Sequence, residues 1–398
     1  MNRLVDFYLG TILLFLGINI ISCAERSENE IIPKSKDFKV ISLDPKKEIE
    51  FSDFGKDLEY VVLESRPDFF IAAIDKIKIN ETRILILSKL QKSIFIFDKS
   101  GKIISKISDF GDGPGKYSGI SDFGFMDNFL YLLTSPSRFV FKYDLSGKLL
   151  QIIPTNNNYM YELSPVNSGW ISHLRDAFDS ENNFNIVKWD SSFSIRENQF
   201  LFIESERRNN SLVVDSYMSG NGENLFMTQN FSNQVYKFKG DSLELSFEIL
   251  IDGRGVDNDF MEKFISSPNR AMSLAVEENS FTGFKKILST DDVLFLESLK
   301  GSGTVSSFIS IPSAKSISYI GLNFKFEFGI AGKIIGSDNE KFVMHISEKI
   351  LNDLKDLDLK GQINDKSLKN ETIRDVIRFY EKESNPVLLF FGVDFSKL

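Results

Sequence analysis

A repeat of forty-six residues constrains this chain more than any other feature. "SIFIFDKSGKIISKI" begins at Ser93, "FVFKYDLSGKLLQII" at Phe139 and "NIVKWDSSFSIRENQ" at Asn185, forty-six positions apart each time. Asp98, Asp144 and Asp190 fall in register, as do Ser100, Ser146 and Ser192, and an aromatic residue precedes each aspartate: Phe97, Tyr143 and Trp189. Upstream, "IDKIKINETRILILSKLQK" (74–92) overlays "ISDFGFMDNFLYLLTSPSR" (120–138) without a gap. Each unit reads as four short runs rich in Ile, Phe, Leu and Tyr, separated by Asp, Gly, Ser and Asn. That is the pattern of an antiparallel meander. Four such strands every forty-odd residues make one blade of a β-propeller.

Later units are looser but countable. A fourth carries "ENLFMTQNFSNQVYKF" and "LELSFEILI", a fifth "DVLFLESLKGSGTVSSFISI" and "KSISYIGL", and a sixth opens with "KIIGSDNEKFVMHIS". The expected fold is therefore all-β, a six-bladed propeller of four-stranded antiparallel blades. Short helical insertions are expected near 257–278 and 348–383, where apolar residues recur three or four apart. "NPVLLFFGVDF" leaves the last blade one strand short, and "LEYVVLE" (58–64) precedes the first blade without a partner. Pairing the two closes the ring and removes both exposed edges.

The first residues address location. "FYLGTILLFLGINII" is an apolar run of about fifteen residues, shorter than the roughly twenty a membrane-spanning helix needs, and reads as the core of a signal peptide. Cys23, the only cysteine, follows it in "IISC", a lipobox-like setting that makes Cys23 the expected lipidation site. The expected organisation is a signal peptide at 1–22, a flexible polar tether at 23–37 and the propeller at 38–398. With one cysteine no intrachain disulfide forms, so core packing alone must hold the body together. Net charge is −9, and removing residues 1–22 deletes one Arg and one Asp and leaves it unchanged. An acidic body without zinc-finger spacing or a basic helix is not a nucleic-acid binder.

"LEYVVLES", "IDKIKI", "IFIFDKSGK", the glycine-rich "FGDGPGKY" and the terminal "ESNPVLLFF" together resemble the six-bladed β-propeller lipoproteins of Bacteroidota, from about residue 38 to 395. The resemblance implies a propeller distantly similar to NHL-type repeats, held in the cell envelope as an outer-membrane lipoprotein. Glu25, Glu28 and Glu30 weakly resemble the acidic signals that send such proteins to the cell surface. The family brings no accepted catalytic residues, so none is carried over.

Motifs that could signal chemistry have plainer readings. "GDGPGKYS" lacks the Gly-Lys-Ser/Thr of a phosphate loop and reads as a tight inter-blade turn in which Gly111, Gly113 and Gly115 supply unusual backbone angles. The repeated aspartates read as turn formers that accept backbone N–H bonds. His173 and His345 are the only histidines, too few for a closed zinc site, and neither a G-x-S-x-G elbow nor an EF-hand loop is present. No metal or cofactor is expected.

In a propeller the outer-to-inner (d-to-a) connections and the b-to-c loops share one face. Candidate ligand-binding residues there are Tyr117, Arg138, Tyr159, Arg207 and Arg254; aromatics beside arginines suit sugar faces, carboxylated glycans or peptide termini. The leading reading is a monomeric, lipid-anchored, non-enzymatic propeller that binds an extracellular glycan or peptide or scaffolds partners. The alternative is a lyase or hydrolase using channel-lining carboxylates, Arg and His173. A purely structural docking platform is a third.

Overall fold

The structure, a computed structural model, describes residues 32–136, 138–155, 159–176, 183–202, 212, 214–220, 222–322, 324, 332–346, 348–363, 370–381 and 384–397. Cys23 and Arg207 lie outside the described residues. The described residues open with β1 (Lys34–Leu43) and β2 (Gly55–Val62), both of which join blades formed much later. Blade 1 is β3 (Lys76–Ile79), β4 (Arg83–Ser88), β5 (Ser93–Asp98) and β6 (Ile103–Ile107). Blade 2 is β7 (Ile120–Met126), β8 (Phe129–Thr134), β9 (Phe139–Asp144) and β10 (Leu149–Pro154). Blade 3 is β11 (Glu162–Val166), β12 (Gly169–His173), β13 (Phe184–Trp189) and β14 (Arg196–Phe202).

Blade 4 holds β15 (Met218–Ser219), β16 (Leu225–Met227), β17 (Gln234–Lys239) and β18 (Ser242–Ile251), and blade 5 holds β19 (Phe281–Ser289), β20 (Val293–Lys300), β21 (Gly303–Ser310) and β22 (Ser316–Ile320). Blade 6 takes β23 (Gly332–Ser337), β24 (Phe342–Ile346) and β25 (Val387–Val393) from the end of the chain and its outer strand, β2, from the beginning. Tyr60 faces Leu389 and Val62 faces Val387 in that antiparallel pair, so the expected closure is present. The chain is a six-bladed propeller.

One strand was not expected. β1 pairs in parallel with β18 as a fifth, outermost strand of blade 4, with Ile41 opposite Ile249. It starts at Lys34, inside the stretch read as tether.

The alternation of side chains explains the near-continuous apolar runs. In β4, Ile84 and Ile86 face the seam with blade 6 while Leu85 and Leu87 face the seam with blade 2; in β5, Phe95 and Phe97 divide from Ile94 and Ile96 in the same way. Both faces of a blade are buried, so both sets of alternate positions are apolar. Six hydrophobic clusters result, each centred on one seam. The aspartate turns behave as read: Asp98 Oδ1 accepts from the Ser100 and Lys102 amides at 2.9 and 3.0 Å, and Asp144 Oδ1 from those of Ser146 and Lys148 at the same distances. Asp394 repeats the motif after β25, accepting from the Ser396 amide at 2.9 Å.

Helices fall where the spacing places them: α1 (Asn258–Ser266) and α2 (Pro268–Glu277) between blades 4 and 5, and α3 (Glu348–Leu359) and α4 (Glu371–Phe379) between β24 and β25. The second pair docks on the propeller itself. Leu351, Leu354, Ile373, Val376 and Ile377 are buried in the cluster that fills the seam of blades 5 and 6, and the Thr372 hydroxyl donates to the Leu58 carbonyl of β2 at 3.2 Å. Among the described residues no helix is long and apolar enough to cross a membrane.

Candidate functional site

The inner strands β3, β7, β11, β15, β19 and β23 do not pair with one another, so their inward groups need other partners. Side chains of neighbouring blades supply many of them. Asp122 Oδ2 accepts from the Leu163 amide at 2.9 Å, and Glu162 Oε2 from the Tyr217 and Met218 amides at 2.9 and 3.0 Å. Ser219 Oγ accepts from the Ser289 amide at 2.8 Å, and Lys286 Nζ donates to the Ile334 carbonyl at 3.1 Å. Between blades 6 and 1 the backbone itself closes in: a Cβ on Gly336 would stand 2.2 Å from Ile77 Cγ2.

Two ionic groups sit on this inner wall. Lys76 Nζ lies 2.9 Å from Asp122 Oδ1 and 3.4 Å from Glu162 Oε1. Lys286 Nζ lies 2.9 Å from Glu297 Oε1 and 3.5 Å from Asp215 Oδ2, and Lys333 and Lys285 approach the same Asp215 oxygen at 3.7 and 3.9 Å. Burial opposes charge on Lys76, but its two carboxylate partners outweigh it and raise its pKa. Asp122 is likewise held below the usual carboxylate range, Lys76 and Lys78 outweighing burial. Glu162 moves up, because burial and the Asp122 charge outweigh Lys76. These carboxylates are committed to lysines and backbone amides.

Lys78 differs. Its ammonium donates to the Leu163 carbonyl at 3.1 Å, and among the described residues no carboxylate lies within ion-pair distance of it. Burial pulls its pKa down to about 8, with Lys76 adding to that and Asp122 and Glu162 opposing it. Lys78 lines a cavity of about 170 Å³ together with Ser164, Asp215, Ser216, Lys286 and Ser289, and the lining continues to the a-to-b turns at Asn80, Gly220 and Asn339.

His173 has no access to this cavity. It is fully buried, stacked on Tyr217 with ring centroids 4.0 Å apart, and Nδ1 accepts from the Arg175 amide at 3.0 Å. Burial drops its pKa to about 3, so it stays neutral. Behind it, Asn185 and Asn230 each donate to Asp176, at 2.7 and 2.9 Å, and the Tyr217 hydroxyl donates to Asn230 at 3.1 Å. That network fixes the blade 3 and 4 connections. Among the described residues no group of three His, Cys, Asp or Glu could hold a metal ion.

The face carrying the d-to-a and b-to-c loops looks different. Phe70, Leu90, Phe110 and Tyr159 are exposed on loops of that face over blades 1 to 3, and Phe139 is exposed at the start of β9, with Leu90 at 74% and Phe110 at 53%. The Gln91 side chain ties two of these loops, donating to the Phe70 carbonyl and accepting from the Ala72 amide, both at 2.8 Å. Lys92 Nζ sits 4.6 Å from the Phe110 ring centroid, and Lys89, Lys116 and Arg138 are exposed nearby in sequence and on the same loops.

Of the sequence candidates, Arg138 and Tyr159 belong to this rim. Tyr117 lies beneath it as a core residue, 3% exposed, its ring against Phe141 and its hydroxyl donating to the Lys92 carbonyl at 3.0 Å. Gly111, Gly113 and Gly115, all at positive φ, fold the loop over it as an ordinary turn. Arg254 lines a separate cavity of about 530 Å³ beneath α1 and α2, with Phe260, Lys263, Leu274 and Lys300. Sequence reasoning missed Phe70, Leu90 and Phe110, although "RPDFF" and "SKLQK" place apolar residues among turn formers, where a buried partner is not expected. It also missed the inner wall, whose one local signal is the lysine alternation in "KIKI".

Solved structures with this architecture include a Bacteroides fragilis protein assigned to export by its name alone, with a TM-score of 0.71 and 17% identity over 89% of this chain and 100% of that one. A member of the duf4221 family from Bacteroides vulgatus aligns with a TM-score of 0.48 and 8% identity over 88% of this chain and 99% of that one. At 17% identity the first likeness is one of fold alone. No curated protein matches the sequence. A family model does, over residues 38–392: the chain belongs to the family described as a domain of unknown function, DUF4934.

Proposed function

We propose that the protein is a lipid-anchored binding propeller of the cell envelope, tethered through Cys23, whose rim over blades 1 to 3 takes an extracellular glycan. The observation that carries this reading is the row of exposed Phe70, Leu90, Phe110, Phe139 and Tyr159 beside lysines and Arg138. Single exposed apolar side chains are ordinary, but several on one set of connected loops mark an interaction surface. Flat aromatic faces pack against the C–H face of a sugar ring, and the cations suit carboxylated or sulfated sugars. Export is supported by the apolar run before Cys23, and the B. fragilis protein of similar fold carries a name that assigns it to export.

The binding reading is favoured over a lyase or hydrolase because Asp122, Glu162, Asp215 and Glu297 are engaged by lysines and His173 is buried as a neutral base. A glycan array probed with the full-length chain tests the proposal, with Leu90→Ser/Phe110→Ser as the variant. Acidic glycans should bind, and the variant should lose about tenfold or more in affinity, as removal of aromatic anchors does. An array signal that the variant leaves unchanged sinks the rim as the site. Cys23→Ser should release the protein from the membrane fraction.

A further inference from the structure

The inner wall holds five lysines, Lys76, Lys78, Lys285, Lys286 and Lys333, against four carboxylates, Asp122, Glu162, Asp215 and Glu297. Two further carboxylates line the same cavity: Asp75, whose Oδ2 accepts from the Lys89 amide, an uncharged donor, at 2.7 Å, and Asp338, whose Oδ2 lies 3.7 Å from Lys99. Lys76 takes both of its nearest carboxylates, and Asp215 and Glu297 are shared among three lysines. Among the described residues Lys78 is the one of these five lysines with no carboxylate within 4 Å; its ammonium donates to the Leu163 carbonyl, lies 5.6 Å from the Phe123 ring centroid and borders the cavity.

An ammonium without a contacting carboxylate in a confined site is costly unless it gains one or loses its proton. We propose that the channel cavity is a binding site for one small hydroxylated carboxylic acid, such as a single uronic acid residue, whose carboxylate pairs with Lys78. Size and lining set the class. About 170 Å³ lies below the roughly 300–1,000 Å³ of pockets that take drug-sized ligands, which restricts the occupant to a small acid. Ser164, Ser216 and Ser289 line the space with hydroxyls, Ser216 donating to the Met218 carbonyl at 2.8 Å and Ser289 to Ser219 Oγ at 3.2 Å, which leaves their lone pairs to match a ligand with hydroxyls of its own rather than an aliphatic acid. Lys286, paired with Glu297 at 2.9 Å, also lines the cavity.

This site is independent of the rim. Its lining reaches the a-to-b turns, the face opposite Leu90 and Phe110, so the two proposals stand or fall separately. A monosaccharide acid at the channel and an oligosaccharide at the rim would compete only if they shared residues, and they share none.

The test titrates the full-length chain at pH 7 and constant ionic strength with sodium D-glucuronate, sodium glycolate and D-glucose, following the thermal midpoint. Glucuronate should give a saturable rise and glucose none. Lys78→Met should raise the half-saturating concentration by about ten- to a hundredfold, the usual effect of losing a charge-assisted hydrogen bond. Lys148→Met, at an exposed turn, should leave it unchanged. A second measurement needs no variant: glucuronate should protect Lys78 from reductive methylation in the wild-type chain, read by peptide mass mapping. Equal stabilisation of wild type and Lys78→Met, no saturable rise with either acid, or no protection of Lys78 would each overturn the proposal.

Discussion

Lys78 carries a consequence for stability that does not depend on any ligand. Its folded pKa of about 8 lies below the ordinary 10.5, so the unfolded chain holds the proton more tightly. Below pH 8 both states are protonated and the folded state bears the cost of a partly buried ammonium; between pH 8 and 10.5 unfolding takes up a proton, and stability from this group rises with pH. Lys78→Met should therefore be more stable than wild type by about 1–3 kcal/mol at pH 7, with the gap closing as pH approaches 10.5. Urea midpoints at pH 7, 9 and 10.5 check this. A gap that is constant or widens with pH contradicts the burial argument. Asp122 has the opposite sign, contributing stability above the ordinary carboxylate range that is lost as pH falls through its depressed value.

At the scale of elements, the decisive contact joins residues more than three hundred positions apart: β2 supplies the outer strand of a blade whose other three strands end the chain. Lys56 lies directly opposite Gly392 in that pair, and a Cβ on Gly392 would stand 3.1 Å from Lys56 Cγ. Lys56 is exposed, so a Lys56→Cys/Gly392→Cys pair sacrifices little packing and meets the close approach a disulfide requires. The oxidised form should exceed the reduced form by about 2–4 kcal/mol, since the bridge closes a very long loop. Denaturation with and without reductant measures it. Failure of the bridge to form in the folded protein would contradict the closure. This pairing was legible because an unpaired apolar run at each end of a repeat array leaves two edges that only each other can satisfy. The fifth strand β1 was not, because "KSKDFKVISL" is polar at most alternate positions and its partner β18 already completed a four-stranded blade.

For the molecule as a whole, the first three blades were readable because each is built from contacts within about forty-six residues, and the period repeats an aspartate turn at Asp98, at Asp144 and, one residue longer, at Asp190. The inner wall was not, because Lys76, Asp122, Glu162, Asp215 and Glu297 come from five blades or their connections and meet only when the ring closes. That dependence predicts how the protein unfolds. An open row of repeats can fray from its ends, each unit contributing its own stability and one interface. A closed ring has no ends, and its seams are bridged by side chains reaching across the inner wall, so losing one blade exposes two apolar seams at once. Both tryptophans, Trp170 and Trp189, are buried in blade 3, so their fluorescence reports that blade alone, while far-UV circular dichroism reports all six. The two probes should give superimposable urea transitions in the wild-type chain, as one cooperative unit requires. Replacing Leu389, which is fully buried in β25 opposite Tyr60, by Asp should open the ring between its ends and separate the two curves, blade 3 outlasting blade 6. Non-coincident transitions in the wild-type protein would mean that the blades unfold as independent repeats and that closure adds no cooperativity.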